Sequence, residues 1–146
     1  MEKTNIFQLI NTVEQLNNAN IIHFTKKFSY PLGISPILVL AELAVKGPRK
    51  QIELAEKVGL TKGALTNIST KLAGLGLVER LYEEEDRRTV RLRITDQGIA
   101  ALNEAQKIGN AIYTELFDSF SEDELKEYMR LQKKLVNASL KNKELP

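Results

Sequence analysis

"QIELAEKVGLTKGALTNISTKLAGLGLVER", residues 51–80, is the stretch that decides the fold. Over Gln51 to Val58 the apolar positions Ile52, Leu54, Ala55 and Val58 can turn inward on a short helix. Gly59 supplies the left-handed conformation that a sharp exit requires. Thr61 is placed to cap a second helix whose buried stripe would be Leu65, Ile68, Leu72 and Leu75. The opposite face carries Lys62, Thr66, Asn67, Thr70 and Lys71. Two short helices joined by a tight glycine turn make a helix-turn-helix. The alternative is an ordinary helical hairpin inside a bundle. Against it, solvated helices usually display Glu–Lys pairs, whereas this face offers small hydrogen-bonding side chains with a lysine at each end.

Downstream, Leu77 to Tyr82 and Thr89 to Ile94 alternate with period two and read as strands. Val90, Leu92 and Ile94 would face one way, and Thr89, Arg91 and Arg93 the other. Between the strands, Glu83, Glu84, Glu85 and Asp86 run directly into Arg87 and Arg88. A hairpin placed straight after a helix-turn-helix is the order of a winged helix. Its charged tip reads either as a solvated turn with local ion pairs or as a group that grips a ligand.

Upstream, Phe7, Ile10, Val13, Ile21, Phe24 and Phe28 recur at roughly helical spacing until Tyr30-Pro31-Leu32-Gly33. Ser35 is then expected to cap a helix with Pro36 first inside it, Leu38, Leu40, Leu43 and Ala44 facing the core, and Gly47-Pro48 ending it. After Thr95-Asp96-Gln97-Gly98 a long helix is expected with Leu102, Ala105, Ile112 and Leu116 on one stripe. Ser121 with Glu124 forms a capping box that opens a last helix carrying Leu125, Tyr128, Leu131, Leu135 and Leu140. The expected fold class is mainly α with a small β wing. Residues 34–98 form a winged helix-turn-helix, and 1–33 with 99–146 form a helical dimerisation region. The terminal helices carry more apolar surface than so thin a subunit can bury, which points to an intertwined symmetric homodimer.

The composition excludes several classes. The 146 residues are 42% hydrophobic and 27% charged, ordinary values for a chain that builds a core. Lys and Arg number 21 against 19 Asp and Glu, so any basic surface must come from local placement. With no cysteine and a single histidine, His23, thiol chemistry and a histidine-rich metal site within one chain are excluded. No nucleophile–base pair or phosphate-binding glycine loop marks an enzyme, and no cofactor is expected. The first residues lack a signal-peptide pattern, and Ile34 to Val45 is too short for a bilayer and is interrupted by Glu42. The expectation is a cytoplasmic protein with no membrane partner.

Over nearly its whole length the chain resembles the MarR family of transcriptional regulators. "DRRTVRLRITDQG" is similar to the family's Asp-x-Arg wing and the Leu-Thr-x-x-Gly ending that follows it, here at Asp86, Arg88, Ile94, Thr95 and Gly98. "ELAEKVGLTKGALTNISTKLAGLGLVER" follows its helix-turn-helix pattern. The chain departs from that pattern in three places. Three glutamates precede Asp86, Asn67 stands where arginine is frequent, and Lys50 stands where a capping Ser or Thr is common.

The resemblance implies a sequence-specific DNA-binding regulator, a homodimeric repressor of a pseudo-palindromic operator released by a small ligand. The alternative is a winged-helix protein-interaction module that does not bind DNA. For the first reading, Thr61, Lys62, Thr66, Asn67, Thr70, Lys71, Asp86, Arg87 and Arg88 are the DNA-binding candidates. Asn67 suits adenine, and Thr66 a base edge or a thymine methyl. Thr61 suits a phosphate at the helix start, and Lys62 and Lys71 suit phosphates. By resemblance, Arg88 enters a minor groove and Asp86 orients its guanidinium. Also by resemblance, a small aromatic or lipophilic anion binds near the junction of the first helices with the dimerisation helix. His23, Phe24, Lys27, Phe28 and Tyr30 are the candidates there. Read without the resemblance, His23 is a satisfied helix residue and the aromatics are core.

Overall fold

Helical periodicity upstream and downstream, and alternation between, translate into helices flanking a small sheet. The structure, a computed structural model, describes residues 3–86 and 88–142. In chain order it runs α1 (Lys3–Lys27), α2 (Ile34–Lys46), β1 (Arg49–Lys50), α3 (Gln51–Val58), α4 (Lys62–Gly74), β2 (Val78–Tyr82), β3 (Val90–Ile94), α5 (Asp96–Phe117) and α6 (Glu122–Asn142). The chain divides into two units, one ending at Gly109 and the other starting at Asn110.

In the first unit the core is built from Leu32, Val39, Leu40, Leu43, Leu54, Leu65, Leu72, Leu77 and Leu92, all at most 2% exposed. Truncating any one of these leucines to Ala should cost about 2–5 kcal/mol. Helix α2 corrects its expected start. Its N-cap is Gly33, in an extended conformation, and no side chain caps it. Ile34 is therefore the first helical residue and Pro36 the third. Pro36 is tolerated there because the first amides of a helix have no intrahelical acceptor to lose. The buried stripe is Pro36, Val39, Leu40 and Leu43. Leu38 falls on the far side, 49% exposed, and Ala44 is exposed at the edge.

Helices α3 and α4 form the expected helix-turn-helix. Gly59 ends α3 in the left-handed region (φ 77°, ψ 37°), its N–H donating to the Ala55 carbonyl. Ile52 is 55% exposed and Val58 half-buried, so Leu54 and Ala55 alone anchor α3. A helix this short turns only a narrow strip inward. Thr61 caps α4, its hydroxyl accepting from the Ala64 N–H at 3.1 Å. At the other end Gly76, with φ 76°, lets the Leu77 N–H reach the Leu72 carbonyl (2.9 Å) and its own N–H the Ala73 carbonyl (3.0 Å). These are the two bonds of a left-handed helix stop.

The hairpin is there, with each strand starting one residue later than expected. Its register pairs Val78 with Ile94, Arg80 with Leu92 and Tyr82 with Val90. A third strand, β1, pairs with β3 and makes the order β1-β3-β2. Two residues carry no periodicity, so β1 had no signal in the sequence. Helix α5 begins at Asp96 rather than beyond Gly98. The Thr95 hydroxyl donates to the Gly76 carbonyl (2.7 Å) and accepts from the Gly98 N–H (3.0 Å), acting as cap and rivet at once.

In the second unit the capping box is complete. The Glu124 N–H donates to Ser121 Oγ (3.1 Å) and the Ser121 N–H to Glu124 Oε1 (3.0 Å). Phe117 stands at the centre of the bend, with ring centroids 5.2 Å from Phe120 and 5.4 Å from Tyr128. No helix among the described residues is long and apolar enough to cross a membrane.

Candidate nucleic-acid interface

Capping by Thr61 fixes the phase of α4 and therefore which side chains face outward. Lys62, Thr66, Asn67, Thr70 and Lys71 are all exposed, and their spacing puts them on one face. The amides of Lys62 and Gly63, at the start of the helix, have no intrahelical acceptor. Thr66 and Thr70 each donate their hydroxyl proton to the carbonyl four residues back, at 3.0 Å. Thr66 therefore presents a methyl group and an acceptor oxygen outward, whereas the Thr70 oxygen also accepts from Arg80 Nη2 at 2.7 Å.

The wing tip lies beyond this face. Arg88 is exposed there, while Arg87 lies outside the described residues. Asp86 corrects one expectation. Its Oδ1 accepts from the Arg88 main-chain N–H (3.0 Å) and its Oδ2 from the Thr89 hydroxyl (3.2 Å). The carboxylate therefore shapes the turn and positions Arg88 through its backbone. No Asp86–Arg88 side-chain ion pair forms among the described residues. Two residues apart in a tight turn, the nearest donor is the amide rather than the end of a long side chain.

Between the start of α4 and the tip-side start of β3 opens a cleft of about 290 Å³, lined by Lys50, Lys62, Thr66 and Arg88 among others. No carboxylate lines it among the described residues. Three cations around one groove create a local positive field that a net charge of +2 conceals. In the sequence Lys50 stands out only as a departure from a capping position. Its place beside the wing depends on β1 pairing with β3, which the sequence does not signal.

The acidic run splits in two. Glu83 accepts from Arg91 Nε at 3.1 Å, and Glu79 pairs with Arg93 across the strands. The outward arginines of β3 are thus neutralised locally, as the ion-pair reading of the hairpin expects. Glu84 and Glu85 are exposed.

This constellation has known counterparts. The model of the MarR family matches residues 34–90, which span α2 through the start of β3. A helix-turn-helix transcriptional regulator of Bacillus cereus is 33% identical over 142 residues, covering 97% of this chain and 90% of that protein. The chain belongs to the MarR family. It is accordingly a DNA-binding transcriptional regulator with a winged helix. The transcriptional repressor MdtR of Bacillus subtilis is 28% identical over 109 residues, 73% of this chain and 70% of that one. Among solved structures, a mutant of MarR from Escherichia coli complexed with operator DNA shares the fold. It has a TM-score of 0.77 and 24% identity, with 92% of this chain and 99% of that chain covered.

In this MarR-family chain the aromatic candidates come together at the end of α1. Phe24 and Phe28 have ring centroids 5.1 Å apart, and Phe28 and Tyr30 5.6 Å. Phe24 and Phe28 are buried, Tyr30 is half-buried, and His23 and Lys27 are exposed. Next to them Glu104 of α5 accepts from the main-chain N–H (3.1 Å) and the hydroxyl of Ser29. No sequence signal marks that carboxylate, because its partner is 75 positions away.

Proposed function

We propose that the protein is a homodimeric repressor that lays α4 in the major groove of each half of a pseudo-palindromic operator. Arg88 enters the adjoining minor groove. The observation that carries this reading is the cation-lined cleft joining the exposed face of α4 to the wing tip. Thr66 and Asn67 face base edges, Thr61, Lys62, Lys71 and Lys50 serve phosphates, and Thr70 and Asp86 position their neighbours. Residues 34–98 carry the DNA-binding function and 1–33 with 99–146 the dimer contact. The site is in the cytoplasm and performs no catalysis, since it assembles cations and hydrogen-bonding groups for a polyanion rather than an acid–base pair.

The dimer explains an otherwise costly surface. On α1, Phe7 is 65% exposed, and Ile10 and Val13 about half; on α6, Leu135 is 65% exposed, with Leu125 and Leu131 also open. Each such side chain stabilises a contact that buries it by about 1.5–3 kcal/mol. The control element is a small aromatic or lipophilic anion seated by Phe24, Phe28 and Tyr30 near Lys27 and His23. It favours a dimer whose recognition helices are wrongly spaced for successive major grooves, about 34 Å apart.

The test is a titration of a duplex selected from a random pool by the wild-type protein, against a scrambled duplex, across a salt series. Asn67→Ala should relax preference at one base pair by about 1–3 kcal/mol. Lys71→Ala should weaken both duplexes alike and lower the salt slope by about one. Equal losses on both duplexes for both variants would refute this division of labour.

A further inference from the structure

Strand alternation puts Arg80 in an unexpected place. Its register partner is Leu92, which is fully buried, and its neighbour two residues back, Val78, is buried as well. Arg80 therefore occupies the inward row of β2, under the helix-turn-helix, where burying a cation is costly unless its donors are satisfied. Its Nε–H donates to Ser69 Oγ at 3.0 Å, and Nη2 donates to Thr70 Oγ1 at 2.7 Å. Ser69, fully buried, passes its own hydroxyl proton to Gln51 Oε1 at 2.9 Å. No carboxylate pairs with Arg80 among the described residues; its hydrogen-bond partners there are these two hydroxyls. One planar fork thus joins the wing strand, the second helix of the motif and the first residue of its first helix.

We propose that Arg80 is the positioning residue for base reading, setting the roll of α4 against the wing. The inference rests on the reading of α4 as the helix that faces bases. Ser69 and Thr70 are consecutive and so lie roughly 100° apart around the helix axis. A rigid guanidinium holding both resists rotation of the helix in either direction, which a single bond would not do. Side chains reach about 5–6 Å from the axis, so ten degrees of roll displaces their ends by about 1 Å. That displacement degrades a base-edge hydrogen bond, whose distance tolerance is only a few tenths of an ångström, while a Coulombic phosphate contact barely changes. Thr70 sits on the same outward face as Thr66 and Asn67, so the grip acts one turn from the proposed reading positions. Ser69 explains itself by the same network. It is the polar residue in the buried stripe of α4, and an alanine there would leave Arg80 Nε and Gln51 without their shared partner.

The experiment measures affinity for the selected and the scrambled duplex, with salt slopes, for R80A, R80K, S69A and the double variant R80A/S69A. All measurements are made well below each variant's unfolding midpoint. R80A should lose about tenfold on the selected duplex and less than about twofold on the scrambled one, with an unchanged salt slope. R80K keeps the charge but cannot hold two hydroxyls, and should resemble R80A. S69A, at a position that cannot touch DNA, should lose discrimination in the same direction, and the double variant should be no worse than R80A. If R80A does not fold, R80K and S69A carry the test. Equal losses on both duplexes with a slope lower by about one would make Arg80 a phosphate contact and overturn the proposal. Rescue by R80K, or intact discrimination in a merely less stable R80A or S69A, would overturn it too. If the wild-type protein selects no sequence from the pool, the reading of α4 fails first, and that outcome is distinct from any of these.

Discussion

Arg88 and Asp86 show how a motif can be legible while its physics is not. The spacing of a carboxylate two residues before an arginine suggests an ion pair, but the carboxylate spends both oxygens on the turn itself. A backbone amide two residues on is held at hydrogen-bond distance by covalent geometry, whereas a guanidinium must give up rotamer entropy to stay there. Arg88 is left exposed as one of the cations lining the cleft, and the proposed minor-groove role follows from that position. Arg88→Ala should therefore lower affinity for the selected duplex at moderate salt about tenfold or more, with helix content and oligomeric state unchanged. A titration showing wild-type affinity would end the minor-groove assignment. Asn67, Thr66 and the lysines of α4 were readable because helix phase follows from one cap and one apolar stripe. Lys50 and Arg80 were not, since each acquires its surroundings from a strand pairing.

At the scale of elements, the junction of wing and α5 is where local rules meet tertiary ones. The Thr95 and Gly98 positions were recognisable as a motif, and the structure supplies their reason. Thr95 ties α5 to the exit of α4, and a Cβ built on Gly98 would lie 2.1 Å from the Leu77 carbonyl oxygen and 2.7 Å from Ile94 Cγ1. The backbones cannot separate without loosening the Thr95 N–H bond to that same carbonyl, 3.0 Å long. Gly98→Ala should therefore lower stability by about 3 kcal/mol, measured as a shift in the urea midpoint at constant slope. A change under about 0.5 kcal/mol would show that the junction yields easily. The start of α2 departs from the local expectation for a related reason. A serine followed by proline is a good local start, but burying Pro36, Val39, Leu40 and Leu43 together with a turn at Gly33 starts the helix two residues earlier than Pro36 suggests.

At the scale of the molecule, the apolar surface of α1 and α6 is the feature a single chain leaves unused. Leu135→Asp would place a carboxylate in the proposed dimer contact, where burial of an unpaired charge is heavily penalised. Sedimentation should show the variant shifted toward monomer at concentrations where the wild-type protein is dimeric. An unchanged distribution would remove α6 from the interface. Control by a small molecule makes a prediction of its own, since the chain has no cysteine. Peroxide should leave operator binding nearly unchanged, while a phenolic or carboxylate compound should weaken it. A differential affinity of about 100-fold between the two forms of the dimer, nearly 3 kcal/mol, is enough to release an operator. Release by peroxide that a thiol reductant reverses would contradict this account.

The sequence by itself determined the order of the helices and the hairpin, the two helices and turn at 51–74, the capping box at Ser121 and the outward face of α4. All of these follow from interactions within a few residues: caps, positive-φ glycines and apolar periods of 3.6 or 2. Only the tertiary structure decided that Arg49–Lys50 is a strand, that Arg80 grips Ser69 and Thr70, that Glu79 and Glu83 neutralise Arg93 and Arg91, and that Lys50, Lys62 and Arg88 share one cleft. Those groups are brought together by strand pairing and helix packing across 10 to 38 positions of chain for the grip and the cleft. No local period or propensity encodes a meeting at that range; it exists only once the core has closed around Leu72 and Leu92.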